Sequence, residues 1–535
     1  MHGKALDGDH AFAAEFRGQT LWILNFREIP MSFLGIDVGT SATKVLVLNA
    51  NGTIAGTAES PHDLLTPKPG WTEQRPEQWW AASVKAARAA LKKARVRADQ
   101  VHAIGLSGQM HGSVFLDKNG KVLRPALLWN DQRTAEQCAK IERLAGGRSE
   151  LIAMVSNPAL TGFTAPKILW LREYEPKKFE RCKHVLLPKD YIRYRLTHDY
   201  VSEVSDASGT LLLDVKNRTW HAKLLSRLQL DPDLLPALVE SQHITGELSD
   251  EAAGELGLKA GIPVVGGAGD QAAGAVGTGV VLPGLVSASM GTSGVIFATS
   301  GQPQTDPFGR VHTMCHAIPD TWCVFGCMLS AGGSLQWLRN TLFASEMARA
   351  KRGWDPGTLY PQMIEEAQIA SPGSENLLFL PYLTGERCPH ADPHATAAFV
   401  GLTARHARRH LIRACLEGIT FGMREQIQIF RELQIPISQV RASGGGARSE
   451  FWRQLQADMY NAPVVTINVH EGAALGAAIL AAVGAGHFNS VPEAAKALIA
   501  IQTRSTPNKK LAAFYADYYK KYAALYPTLK PTFNV

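Results

Sequence analysis

The sequence contains no Gly-x-x-x-x-Gly-Lys-[Ser/Thr] string, which excludes a Walker-type phosphate loop. None of its Gly-x-Gly pairs is followed by a third glycine at the dinucleotide-binding offset, and no His-Glu-x-x-His occurs. The Rossmann fingerprint and the helical zinc-protease motif are therefore absent too. Cysteine is scarce and odd in number: seven residues, with Cys323 and Cys327 the closest pair and no second pair after them. That spacing fits neither a zinc site nor a disulfide framework, so reduced thiols in a cytoplasmic protein are expected. No Lys/Arg block marks a nucleic-acid surface, and 55 basic against 48 acidic residues leave a formal charge of only +7. A mild positive balance suits a small anionic ligand. No secretory leader is expected, since targeting signals are weak: the first thirty residues hold one short apolar run, 21–26, behind Asp7, Asp9 and Glu15. From Gln271 to Gln304 there is no charge at all, the one stretch that invites a membrane reading. Recurrent glycines with Pro283 and Pro303 make it a series of buried strands and tight turns instead.

What is present is a globular composition, 45% apolar and 19% charged, in a 535-residue chain too long for one ordinary core. Patterned sequence begins at Met31. Residues 1–30 are expected to be a non-native or disordered extension, 31–280 an N-terminal domain and 281–535 a C-terminal domain. Apolar runs at 33–37, 45–48 and 54–58, the first two joined by a glycine turn and the last two by Asn51-Gly52, predict a three-stranded meander. A helix opened by Pro76 follows over 76–94, then a buried strand at 101–106. The order recurs: strands at 285–290, 295–298 and 321–328, then a helix around 335–342. Gly39-Thr40-Ser41 and Gly291-Thr292-Ser293 thus occupy equivalent turns, the mark of a duplicated α/β domain. The C-terminal half adds a helix at 408–431, a strand at 440–443 meeting Gly444-Gly445-Gly446, a helix at 449–460, a strand at 464–469 and a small-residue helix at 473–483.

Three glycine-rich turns at strand ends carry the chemistry: 37–44, 291–294 and 444–446. Small residues let backbone N–H groups approach a phosphate, and Thr or Ser hydroxyls add donors. One such turn reads as a plain hairpin. Three, two of them duplicated, favour a nucleotide held between two lobes. Asp37 can hold Mg²⁺ through water. Lys44 faces either phosphate or solvent, since alternation along a hairpin allows both. Asp270 is the sole charge from Gly261 to Gln304. It reads as a helix N-cap for Gln271-Ala272-Ala273 or as a general base at the interdomain crevice, and the two are compatible.

The strings GIDVGTSATK (35–44), GFTAPKILW (162–170), GGAGDQAAGA (266–275), MGTSG (290–294) and SGGGARSEFWRQLQAD (443–458) together resemble the FGGY family of carbohydrate kinases. The resemblance implies an α/β, duplicated actin/hexokinase-like (ribonuclease H-like) two-domain fold with an interdomain active-site cleft. Within the family, WTEQRPEQWW (71–80), SGQMHG (107–112), LLWNDQR (127–133), LLPKDY (186–191), SDASGT (205–210) and FLPYLTGERCPH (379–390) look like the xylulokinase branch. This implies phosphorylation of D-xylulose with ATP and Mg²⁺. By motif, Asp270 matches the catalytic base; Met110, His111 and Gln271 fall in the sugar site; Asp37, Thr40, Ser41 and Lys44 match the first phosphate loop, Gly291 and Thr292 the second, and Gly444 and Gly445 the adenosine loop. Gln271 departs from the Asn common in xylulokinases and is more like glycerol kinases. The Arg-Glu pair of glycerol kinases is nevertheless missing from the matching loop, which reads Gln109-Met110-His111. The expected partners are a sugar and ATP, with a homodimer as the assembly and neither nucleic acid nor membrane. The rival readings are a kinase for another pentulose or polyol, and a non-kinase actin-like ATPase.

Overall fold

Two apolar strands joined by a glycine turn cannot bury both faces alone. In the computed structural model each such pair lies inside a seven-stranded sheet. The structure describes residues 11–16, 19–24, 31–349, 354–469 and 471–533. Within 1–30 it describes two strands, Ala11–Phe16 and Gln19–Leu24, paired with each other; the expectation for the rest of that segment lies outside the described residues.

In the first sheet β1 (Ser32–Val38), β2 (Ala42–Asn49) and β3 (Ile54–Pro61) form the antiparallel meander. β4 (Val101–Gly108) runs parallel to β1. β5 (Ile244–Glu247) closes the edge antiparallel to β6 (Pro263–Val265), which is itself parallel to β4. A short β7 (Ala268–Gly269) also pairs with β4. The second sheet repeats the plan. β8 (Gly284–Met290), β9 (Gly294–Ser300) and β11 (Trp322–Met328) make the meander, with β10 (His312–Cys315) beyond it. β12 (Ile437–Gly444) and β13 (Val464–Ile467) follow in parallel, and β14 (Ile501–Ser505) closes antiparallel. The duplication read from two tripeptides is therefore a duplication of whole sheets. The uncharged stretch after Asp270 becomes a short helix and two core strands, and no helix among the described residues is long and apolar enough to cross a membrane.

The helices that matter for function are α1 (Pro76–Ala94), α2 (Thr164–Tyr174), α3 (Asp270–Gly277), α4 (Gly332–Leu342), α5 (Arg408–Glu432), α6 (Glu450–Tyr460) and α7 (Gly472–Gly484). α7 is the small-residue helix, and it belongs to the C-terminal half of the chain. It packs on the first sheet: Phe33, Leu46 and Ala103 share one buried cluster with Ala273 and Val276 of α3 and Leu475 and Ile479 of α7. Gly35 of β1 and Gly105 of β4 are register partners. A Cβ at Gly35 would sit 2.1 Å from the Ala474 carbonyl, and one at Gly105 would sit 1.9 Å from that of Ala477. The same holds between helices: a Cβ at Gly476 would lie 1.8 Å from the Ala273 carbonyl, and one at Gly277 would lie 1.9 Å from that of Gly472. Backbone thus touches backbone, and glycine is the only side chain that leaves room.

Gly476→Ala forces this seam open and is expected to cost about 1–3 kcal/mol, as overpacked cores do. Gly254, in an exposed helix with open space around its missing Cβ, is the control. Gly254→Ala should hold or raise the melting temperature, while Gly476→Ala lowers it by several degrees.

Candidate active site

The C-terminal ends of β1 and β12 and the first turns of α3 and α7 meet at a cleft of about 970 Å³ between the two sheets. Asp37, Asp270 and Gln271 line one side, Gly444 and Gly445 the other. Five of the residues singled out in the sequence are thus brought to one cavity. Thr40, Ser41, Lys44, Met110, His111, Gly291 and Thr292 are not among its lining. Ser289 of β8, Arg448, Thr503 of β14, and Gly472 and Ala473 of α7 line it and were not foreseen. Arg448 sits inside the string that contains Gly444, so its neighbourhood was legible. Thr503 had no signal, because only strand order brings β14 to the cleft.

Asp270 is the first residue of α3, and the capping position is held by Gly269. Its carboxylate lies at the cleft, with the Gln271 side-chain amide 3.4 Å away. Burial, reinforced by repulsion from Asp37, raises its pKa to about 7. Burial also raises Asp37, against the opposing pull of hydrogen bonding and of Lys44. Asp37 keeps a buried Oδ1 with no hydrogen-bond partner. Two carboxyl groups thus share one desolvated space, and the second to ionise holds its proton tightly.

The first turn is braced from within. Gly39 N–H donates to the Ala42 carbonyl at 3.1 Å, the Thr40 hydroxyl accepts from the Trp129 indole at 3.0 Å, and the Thr40 carbonyl accepts from Gln74 at 2.7 Å. Ser41 is exposed. Lys44 forms an ion pair with Glu471, the residue before α7, which ties the first hairpin to the helix seam. The second turn is held by amides of the segment entering α4. Ala331 and Gly333 donate to the Thr292 carbonyl at 2.9 and 3.0 Å, and Gly332 to that of Gly291 at 2.9 Å. A Cβ at Gly332 would lie 2.4 Å from the Gly291 carbonyl; the Gly332-Gly333 pair ahead of a helix was the available signal. Gly444 has φ +75°, and a Cβ there would lie 2.3 Å from the Met290 carbonyl. Its bare backbone leaves the cleft wall open.

Beside Asp270 lies a second group. Met110 packs on Gly269, where a Cβ would sit 2.9 Å from its Cγ. His111 has φ +69° and its Nδ1 lies 2.8 Å from the Gly209 carbonyl. That bond requires the proton on Nδ1 and leaves Nε2 as an acceptor. Burial takes the imidazole down to about 3, so it is neutral at physiological pH. Phe163 stands edge-on to it at 4.8 Å. Gly209 touches both Met110 and His111, so the SDASGT string packs against this pair. Beneath it Lys189 lies 2.5 Å from Asp190 Oδ1, 3.6 Å from Glu203 and 3.9 Å from Asp206, all four side chains fully buried. Burial and the neighbouring carboxylates, Asp270 among them, raise Asp206 well above its ordinary range. Among the described residues no group of three or more His, Cys, Asp or Glu is placed to hold a metal directly.

Residues 32–277 match the N-terminal domain and 286–485 the C-terminal domain of the FGGY family of carbohydrate kinases. The chain is 38% identical to the xylulose kinase of Bacillus subtilis over 93% of its own length and 95% of that protein's. It is 39% identical to that of Escherichia coli over 93% and 99%. Among solved structures it is similar to a Brucella ovis enzyme described as a xyloylose kinase, with a TM-score of 0.85, 37% identity and coverage of 94% and 100%. It is also similar to a ligand-bound xylulose kinase of Lactobacillus acidophilus, with a TM-score of 0.87, 27% identity and coverage of 94% and 99%.

The strained carboxyl has a signature in stability. Below pH 3.8, the ordinary value, Asp270 is protonated in both folded and unfolded chains and contributes nothing. Between there and about 7 the unfolded chain releases the proton first, so the fold is penalised, fully so above about 7. Asp270→Asn cannot ionise. It should melt higher than the parent at pH 8, with the gap closing towards pH 4; equal gaps at both pH values would contradict the strained state.

Proposed function

Because the chain belongs to the FGGY family of carbohydrate kinases, we propose that it transfers the γ-phosphoryl group of ATP to the terminal hydroxyl of D-xylulose, giving D-xylulose 5-phosphate and ADP. The names of its relatives support the substrate. The observation that carries the chemistry is Asp270, a half-buried carboxyl at the glycine-walled cleft whose pKa is raised to about 7, next to Gly269, on which Met110 packs.

A sugar hydroxyl has a pKa far above 7 and must lose its proton as the new P–O bond forms. The Asp270 carboxylate takes that proton, and its raised affinity makes it a stronger base than an exposed aspartate. The bond between the γ-phosphorus and the bridging oxygen breaks, and its electron pair leaves with ADP. Met110 supplies an apolar wall, and the unprotonated Nε2 of His111 accepts a hydroxyl proton in a hydrogen bond that orients the sugar. Gln271, beside the base, has both a donor and an acceptor for a further hydroxyl. Gly444 and Gly445 leave space for the adenosine side, and the first turn of α7 lines the same cleft, as suits a phosphate at a helix N-terminus. The turns around Thr40 and Thr292 bring one phosphate loop from each half when the lobes close. Asp37, an acceptor with an unpartnered buried oxygen, suits Mg²⁺ held through water. The ion supplies neutralisation of the phosphate charge when bound. Seven unpaired thiols support the cytoplasm as the compartment.

A coupled ADP-release screen over ketopentoses, polyols and glycerol tests the reading. ADP release should depend strictly on acceptor, with the highest kcat/KM for D-xylulose. Asp270→Asn should lose roughly 10²–10⁴ in kcat with the KM for ATP nearly unchanged. A higher kcat/KM for another acceptor would replace the substrate, and acceptor-independent turnover would favour an actin-like ATPase.

A further inference from the structure

Lys167 lies on α2 with its side chain fully buried, yet no carboxylate pairs with it among the described residues. Asp131, whose charge reaches it, is held instead by Arg133 at 2.7 Å. A lone buried ammonium is costly, and burial draws this one down to about 7. What its nitrogen does is donate to two backbone carbonyls, those of Gly162 and, at 2.9 Å, His111. Thr164, one turn earlier on the same helix face, donates its hydroxyl to the same His111 carbonyl at 3.0 Å.

His111 needs this grip. With φ +69° it occupies the left-handed region, which a residue bearing a Cβ avoids. Its ring is aimed by the Nδ1–H bond to Gly209 and by Phe163, the residue that precedes α2. Release of the carbonyl would let the peptide after His111 rotate towards the common regions and carry the imidazole away from both. We propose that Lys167, assisted by Thr164, is a positioning residue for sugar recognition: it fixes the His111 carbonyl and through it the direction of Nε2. The assignment rests on the reading of His111 as a sugar contact.

The test is a double-mutant cycle in the full-length protein, read as KM for D-xylulose, KM for ATP and kcat. Lys167→Met keeps the length of the side chain and removes its donors. It should raise the KM for D-xylulose by about tenfold or more with the KM for ATP unchanged, and Thr164→Val should act in the same direction to a smaller extent. In a His111→Ala background neither substitution should add to the sugar KM, because the group they aim is gone. Parallel rises in both KM values, or effects that multiply with His111→Ala, would overturn the assignment and leave Lys167 a general core residue. Should Lys167→Met not fold, Thr164→Val in the two backgrounds carries the same test: an effect that vanishes without His111 supports the proposal, and one that persists overturns it. An unchanged sugar KM in His111→Ala overturns the positioning role while the kinase reading stands, whereas absence of D-xylulose turnover in the parent protein overturns that reading itself.

Discussion

The contact between α3 and α7 is the constraint on which the cleft depends. α3 brings Asp270 to its first turn and α7 brings Gly472 and Ala473 to its own, and both first turns line the same cavity. The two helices approach until carbonyls of one face the Cα atoms of the other, across Gly277 and Gly476. Beneath them Gly35 and Gly105, partners on adjacent strands, provide a floor without side chains. Any methyl group in this seam would push Asp270 away from the opposite wall of the cleft. The ion pair from Lys44 to Glu471 adds a polar tie at the mouth of the seam, so the first hairpin and α7 are anchored together. Each half of the duplicated fold builds its own sheet, but it is the return of α7 to the first sheet that joins the halves into one site.

The second constraint is electrostatic. Asp37 and Asp270 repel one another across the cleft wall they share, and burial adds to the cost of ionising each. That tension suits the proposed role of Asp270 as a base near neutral pH, and it is the kind of local cost that active sites carry against stability. His111 has the complementary property. It is kept neutral, so it can accept a hydrogen bond without competing for the proton. In the proposed reaction the two groups divide the work, His111 orienting the sugar and Asp270 taking the proton.

Much of this was legible from residues. Apolar runs and glycine turns located the strands of both meanders, and the paired Gly-Thr-Ser turns exposed the duplication. The isolated charge of Asp270 in an apolar stretch singles it out in the sequence, and the structure brings it to the cleft. Other features depend on contacts between distant segments. The helix over 473–483 reads as a helix, but small residues do not say which sheet they serve. Lys44 could not be assigned because its partner, Glu471, belongs to the other half of the chain. Asp270 read as a cap because aspartate caps well, and only the backbone of Gly269 shows that the cap lies one residue earlier. Lys167 sat in a string that identified the family without declaring what its ammonium holds, since the strained φ of His111 is invisible in sequence.

The proposed role of Asp270 as base requires a proton affinity raised by burial and, beyond that, by Asp37. The acid limb of kcat/KM for D-xylulose tests both parts when measured in the parent protein and in Asp37→Asn. His111 and His312, held near 3 and 4, titrate too low to account for a limb near neutrality. The parent should lose activity as pH falls through about 7. In Asp37→Asn the rate will be lower, but the limb should move to lower pH because the repelling charge is gone. A parent limb at the ordinary carboxylate value, or one that stays in place when Asp37 is neutralised, would contradict the account.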